Sequence, residues 1–184
     1  MNTPTAASAT GHLRAPRLGL MALIVSTVVL LDQVTKWQVT KAMLLHESIP
    51  IIPGFFSLTY IRNAGAAFGI LAGSHAGFRM VFFGLTSVVA LALLGTIYVR
   101  LAPGDWIGQA SVAAIFGGAV GNLIDRVQYG EVIDFLDFYV RGYHWPAFNV
   151  ADAAITVGVC LLILHFFQYK TPHPTSLPRQ EREG

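Results

Sequence analysis

Four apolar stretches, each close to the length needed to cross a bilayer, dominate this chain of 184 residues. A hydrocarbon core of about 30 Å takes about 20 residues of helix, and a helix satisfies its own backbone polar groups there. The stretches are about 18–37, densest at Leu18–Leu31, then 80–99, 106–124 and 150–167. The second and third carry no charged residue; the fourth has Asp152 at its entrance and His165 near its exit. Only 12% of the chain is charged, against roughly a quarter in an ordinary soluble domain. That scarcity excludes a disordered or collagenous chain, and a net charge of +2 is too weak a field to recruit nucleic acid. A single cysteine, Cys160, excludes an internal disulfide framework or a multi-cysteine metal cage. The reading is a small membrane protein with four transmembrane helices.

Residues 14–169 read as one membrane domain. Residues 1–13, rich in Ala, Thr and Ser, and 170–184, with Pro172, Pro174 and Pro178, read as tails. Arg14 and Arg17 before an apolar core imitate a secretory signal, but no small-residue cleavage site follows. The next residues are Asp32, Gln33, Val34, Thr35, Lys36 and Trp37, so the first span is expected to remain as a helix. An even number of spans puts both termini on one side. Basic residues divide six against six between the two sides; those beside the termini are packed into shorter segments, which favours a cytoplasmic location for the tails.

The few acids are gathered rather than spread. Of six Asp and four Glu, five acids (Asp125, Glu131, Asp134, Asp137 and Asp152) lie between the end of span three and the start of span four. Asp32 sits near the end of span one on the same side. An acid at membrane depth is costly unless paired or hydrated, so each is a functional candidate, with an ordinary interfacial loop acid as the plainer reading.

Span three ends with Gly117 and Gly121 in a G-x-x-x-G spacing, which lets another helix approach closely. Asn122, Asp125 and Arg126 follow at i, i+3 and i+4 on one helix face, and an Asp125–Arg126 ion pair anchoring the helix end is the expectation. The β-branched and aromatic run 132–140 suggests an extended segment, in which Val132, Asp134, Leu136 and Phe138 share one face and Asp137 takes the other. Apolar neighbours on its face would raise the pKa of Asp134 by desolvation. At the start of span four, Asn149 is a good N-cap, and Asp152 lies in the first turn, where the helix dipole stabilises a carboxylate. Capping alone explains Asn149 and Asp152, but not Asp134.

Two carboxyl groups with separated affinities for one proton are the apparatus of aspartic proteolysis. One takes a proton from the attacking water while the other donates to the scissile carbonyl. The segment Asn63-Ala64-Gly65-Ala66-Ala67-Phe68-Gly69, after the strand-like run 55–61, adds small residues that admit a ligand close to the backbone; a tight turn is its plainer meaning. Other chemistries lack support. The six histidines (12, 46, 75, 144, 165 and 173) show no metal-ligand spacing, and neither G-x-S-x-G nor a Cys–His arrangement occurs. Trp37, Trp106 and Trp145 fall near span ends, as interfacial aromatics do.

In five motifs taken in order the chain resembles the lipoprotein signal peptidase (signal peptidase II) family, over Leu18 to Phe167. They are Asp32-Gln33-Val34-Thr35-Lys36, Asn63-Ala64-Gly65-Ala66-Ala67-Phe68, Gly117–Arg126, Val132-Ile133-Asp134-Phe135 and Phe148-Asn149-Val150-Ala151-Asp152. The resemblance implies an aspartic endopeptidase of the bacterial inner membrane, with cytoplasmic termini and a site near the periplasmic face. It implies four transmembrane helices beside a small periplasmic β-cradle of extended segments. The substrate would be a prolipoprotein, cleaved immediately before its diacylglyceryl-modified cysteine. The family's catalytic pair maps onto Asp134 and Asp152. Asn63, Asn122, Arg126 and Asn149 map onto residues lining the site, and Asp32, Lys36 and Asp125 onto supporting ones. Asp125 has also been considered catalytic in this family. Asp137 lies outside the motif. The cyclic peptide globomycin is implied as an inhibitor, with no cofactor or metal, and small size makes a monomer the default.

Two rival readings fit less well. A proton-coupled transporter would need a relay through the membrane, but spans two and three hold no charge. No span is broken at mid-depth, as transporter sites often require. A structural scaffold assembled through the glycine face leaves the gathered acids unexplained.

Overall fold

The computed structural model describes residues 6–65, 73 and 75–169, with side chains described between residues 17 and 167. Its elements run α1 (Ala6–Ala42), β1 (Ser48–Ile52), β2 (Phe56–Asn63), α2 (Ala76–Arg100), α3 (Trp106–Tyr129), β3 (Val132–Val140), β4 (Tyr143–His144) and α4 (Val150–Tyr169). Four helices are long and apolar enough to span a membrane: Arg17–Ala42, Ala76–Arg100, Trp106–Tyr129 and Val150–Phe167. Part of the expected tail 1–13 falls within the first turns of α1, and the tail 170–184 lies outside the described residues.

Large apolar side chains on the outside of α1, α2 and α4, such as Leu23, Val81 and Phe167, are more than three-fifths exposed, the surface a lipid-facing helix presents. Threonine hydroxyls on these helices bond back to their own backbone. Thr27 bonds to the Leu23 carbonyl and Thr96 to that of Ala92, so these donors are satisfied within the helix.

α3 is the central post and contacts α1, α2 and α4. Its glycines let α1 and α4 approach closely. A Cβ on Gly117 would meet Val28 Cβ of α1 at 3.0 Å, and one on Gly118 would run into the Ala151 carbonyl and Ile155 of α4. At Gly121 it would lie 2.6 Å from Asp32 Oδ2. The expected G-x-x-x-G face therefore receives α1, and the intervening Gly118 receives α4. Gly158 supplies the matching gap on α4, where a Cβ would meet Ile115 Cγ1 at 2.7 Å.

Two helices run past the boundaries that hydropathy suggests. α1 continues to Ala42 because Val39 and Met43 are buried against Tyr60, Ile133 and Phe135 of the sheet. α3 continues to Tyr129 through Asp125 and Arg126, then stops at Gly130, whose left-handed backbone (φ 74°) returns its N–H to the Arg126 carbonyl. At the other end Asp105 caps α3 by accepting from the Gly108 N–H at 2.8 Å.

The four strands form one antiparallel sheet in the order β1-β2-β3-β4. It stands at the end of the bundle where α1 and α3 finish and α4 begins. In β3, Asp134 lies opposite Ile61 and Asp137 opposite Ser57, with a register irregularity in β2 between Leu58 and Ile61. Arg141 and Gly142 both take positive φ (52° and 82°), the conformation of a tight two-residue hairpin between β3 and β4.

The glycine contacts give a direct test. Gly118→Ala and Gly158→Ala should each destabilise the protein in detergent by about 1–3 kcal/mol, the usual cost of overpacking. Gly84→Ala and Gly95→Ala, where a Cβ would meet nothing within 4 Å, should leave the thermal midpoint near that of the parent.

Candidate active site

Three helix ends and one strand bring the polar residues together. Asp32 and Lys36 lie one turn apart on α1, Asn122, Asp125 and Arg126 on the last turns of α3, Asp134 on β3, and Asn149 and Asp152 at the start of α4. Asp32, Lys36, Asn122, Asp125, Asp134 and Asn149 are all buried. Such a gathering is tolerable in a membrane protein only if each group has partners.

Lys36 has three. Its Nζ lies 2.8 Å from Asp32 Oδ2, 2.7 Å from Asp125 Oδ2 and 3.1 Å from Asn122 Oδ1, which matches the three protons of an ammonium. The two carboxylates are held further by backbone and amide donors. Asp32 Oδ1 accepts from the Ala151 N–H at 2.9 Å, and Asp125 Oδ2 from the Ile133 N–H at 3.1 Å. Gln33 Nε2 donates to Asp32, to Asp125 and to the Gly121 carbonyl.

This cluster corrects the expected Asp125–Arg126 ion pair. One residue along a helix turns a side chain by about 100°, so Asp125 faces α1 and its lysine while Arg126 faces the cavity. Arg126 Nη1 donates to the Asn122 carbonyl at 3.2 Å, and its guanidinium lies 5.1 Å from the Phe83 ring centre.

From Lys36 the order passes through two asparagines. A lysine can only donate, so Asn122 must present Oδ1 to it, and Nδ2 is then turned to Asp152 Oδ1 at 2.7 Å. Asn149 Nδ2 also meets Asn122 Oδ1, at 3.1 Å, and donates to Asp134 Oδ1 at 2.8 Å. The other oxygen of Asp134 accepts from Asn63 Nδ2 at 3.0 Å. Asn149 and Asp152 do cap α4: Asn149 Oδ1 accepts from the Asp152 N–H at 2.9 Å, and Asp152 Oδ2 from the Asn149 N–H at 3.3 Å. The capping box uses one oxygen of Asp152, leaving Oδ1 on the cavity side.

A cavity of about 550 Å³ opens over these groups. Asn63, Asn122, Arg126, Asp134 and Asp152 line it, together with Gly65, Val132 and the segment 145–148. It continues along α4 past Ala153, Ile155, Thr156 and Val157, toward the depth of the bilayer. Burial, and next the negative charge of Asp152, push the pKa of Asp134 from 3.8 up to about 7. The amides of Asn63 and Asn149 and the charge of Lys36 act in the opposite direction and are outweighed.

Of the residues singled out in the sequence, Asn63, Asn122, Arg126, Asp134 and Asp152 meet at the cavity. Asn149 stands directly behind Asp134, and Asp32, Lys36 and Asp125 lie one layer deeper. Asp137 faces away and bonds to His144 at 2.9 Å, as strand alternation requires. Residues 66–69 of the small-residue motif lie outside the described residues. No site role was legible in the sequence for Gln33, which sits inside the first motif, or for the rim 145–148, where Trp145 read only as an interfacial aromatic and Phe148 only as the start of the fifth motif.

Known proteins resemble this chain in sequence and in fold. A family model described as signal peptidase (SPase) II matches residues 24–168. A lipoprotein signal peptidase from Syntrophotalea carbinolica is 50% identical over 145 residues, covering 79% of this chain and 89% of the relative. One from Geobacter sulfurreducens is 51% identical over 147 residues, covering 80% and 91%. Two solved structures of bacterial membrane enzymes share the fold. One has 37% identity and a TM-score of 0.77, covering 86% of this chain and 94% of its own; the other has 39% and 0.72, covering 82% and 94%.

Replacing Lys36 by Met should destabilise the protein by about 3–5 kcal/mol, because two buried acids lose their shared cation. Thermal unfolding in detergent measures it. A loss below about 1 kcal/mol would show that the cluster is well solvated.

Proposed function

This chain belongs to the signal peptidase II family of lipoprotein signal peptidases, and we propose that Asp134 and Asp152 are its catalytic pair. It is a membrane protease that removes signal peptides from prolipoproteins. The observation that carries the assignment is that these two acids face one cavity, each fixed by an asparagine amide, with Asp134 held near a pKa of 7.

The reaction begins with Asp134 protonated and Asp152 as the carboxylate. Asp152 takes a proton from a water molecule, whose oxygen attacks the scissile carbonyl carbon. Asp134 donates its proton to the carbonyl oxygen, giving a neutral tetrahedral diol. As the diol collapses, Asp152 returns a proton to the departing amine and Asp134 recovers one from the diol hydroxyl. The bond to the amine breaks, and the dyad is restored for the next turnover. Asn63 and Asn149 hold Asp134 through separate oxygens, so the acid cannot swing between substrate and solvent. Asp32, Lys36 and Asp125 support this geometry from beneath; Asp125 is assigned that role because it bonds Lys36, Gln33 and the Ile133 N–H.

Cleavage falls immediately before a diacylglyceryl-modified cysteine in this reading. The cavity supports it by running from the dyad along the apolar side of α4, where acyl chains can stay in lipid while the peptide lies at headgroup level. In the same reading the site end of the bundle faces the periplasm from the bacterial inner membrane, with both termini in the cytoplasm. Four spans put both termini at the end opposite the sheet, and the dense basic residues in the short segments on that side favour the cytoplasm for it. A monomer is sufficient, since one chain supplies every group named, and globomycin is the inhibitor expected to occupy the cavity.

Hydrolysis of a lipid-modified prolipoprotein in detergent tests the assignment. Asp134→Asn and Asp152→Asn should fold and lose activity by about three orders of magnitude or more. Substantial turnover by either would sink the dyad. Asp125→Asn should lower stability more than turnover; a well-folded but inactive variant would move Asp125 into the chemistry. Turnover should be insensitive to metal chelators.

The pH profile gives a second test. Donation by Asp134 requires its proton, so kcat should fall as pH rises through about 7. A rate that stays flat from about pH 6 to about pH 9 would contradict Asp134 as the acid.

A further inference from the structure

Asp137 and His144 form a pair that the dyad does not use. His144 Nδ1 lies 2.9 Å from Asp137 Oδ1 and 3.0 Å from Oδ2, so the carboxylate holds a proton on that nitrogen. The imidazole lies nearly parallel to the Tyr139 ring, with centres 4.8 Å apart. Tyr139 Oη in turn accepts from the Gly54 N–H of the β1–β2 turn at 3.2 Å. The His144 side chain is 55% exposed whereas that of Asp137 is 11% exposed. The pair therefore fixes a surface ring to the sheet and contributes little to the core.

The segment just after His144 matters more. The Trp145 N–H donates to the Phe138 carbonyl at 2.8 Å. Phe148 exchanges backbone bonds with Leu136, at 2.8 and 3.1 Å, and its ring stacks on Phe138. Trp145, Pro146 and Ala147 are thus strung between two anchors on β3, and all three line the cavity that holds Asp134 and Asp152. The rim is apolar and Pro146 offers no N–H, a lining suited to an uncharged peptide segment. One anchor, Phe148, adjoins the α4 cap. The other sits at the open end of the hairpin, and there the Asp137–His144 pair sets where Trp145 begins.

We propose that Asp137 and His144 are positioning residues for the cleavage: they hold the 145–147 rim in place so that it grips the substrate peptide over the dyad. The pair acts on binding and leaves the proton transfers to Asp134 and Asp152. This rests on the cavity being the active site, as proposed above.

Steady-state hydrolysis of a diacylglyceryl-prolipoprotein by the full-length enzyme in detergent tests it. His144→Ala and Asp137→Ala should each raise KM about fivefold to tenfold while kcat stays within about twofold, the pattern of lost uniform binding. The double variant should be no worse than the poorer single one, since both remove the same hydrogen bond. Asp137→Asn keeps an acceptor for Nδ1–H and should restore KM to within about twofold of the parent. His144→Phe keeps the ring on Tyr139 but cannot donate, and should raise KM as His144→Ala does. This variant also covers the case in which Asp137→Ala fails to fold. A parental KM in His144→Ala or His144→Phe, or a loss confined to kcat, would overturn the proposal. Asp134→Asn in the same assay separates the two readings. If it stays active the dyad itself is wrong, whereas an inactive Asp134→Asn beside a parental KM in His144→Ala removes only the role of the pair.

Discussion

The Lys36 ammonium, buried between α1 and α3, is the contact on which the rest of the site depends. It is the one cation in direct contact with Asp32 and Asp125 among the described residues, and it fixes the polarity of the amides above it. Because lysine offers only donors, Asn122 must show it an oxygen, and the amide nitrogen then faces Asp152. The same constraint reaches Asp134 through Asn149, whose amide meets Asn122 on one side and Asp134 on the other. A single buried charge thereby orients two amides and, through them, both acids at the cavity. The arrangement costs desolvation, which the backbone donors of Ala151 and Ile133 help to offset.

The membrane makes this organisation necessary. Three helices can meet closely only where side chains are small, and α3 supplies Gly117, Gly118 and Gly121 at that level. The gap at Gly121 is filled by the Asp32 carboxylate, so close packing and the polar cluster share the same positions. The sheet then closes the top of the bundle. It places Asp134 inward on β3 with two asparagines, and its continuation through β4 carries the apolar rim across the opening. Helix ends supply the polar groups, and the strand supplies the acid that burial keeps near neutrality.

Much of this was legible in the sequence because it depends on local periodicity. Four apolar runs set the spans, and alternation along 132–140 separated Asp134 from Asp137 correctly. The Asn149–Asp152 spacing predicted the cap that α4 shows. Helix ends were read less well. Hydropathy falls at Ile124 and Trp37, yet α3 and α1 continue, since tertiary partners and not lipid stabilise those last turns. The Asp125–Arg126 pairing failed for a related reason. Adjacent residues on a helix diverge by about 100°, and the cation that meets Asp125 lies 89 positions earlier in the chain.

The sequence by itself determined that this chain spans a membrane four times, that its acids lie at one end, and which five motifs relate it to signal peptidase II. Apolar length, charge scarcity and residue order are properties of the chain alone. Only the tertiary structure decided which acid meets which partner: Lys36 with Asp125, Asn122 with Asp152, and Asn63 and Asn149 with Asp134. Those contacts join α1, β2, β3, α3 and α4, and no local spacing encodes them. The physical reason is that a pKa and a proton path depend on burial and on distances of about 3 Å, which exist only once the helices and the sheet have packed.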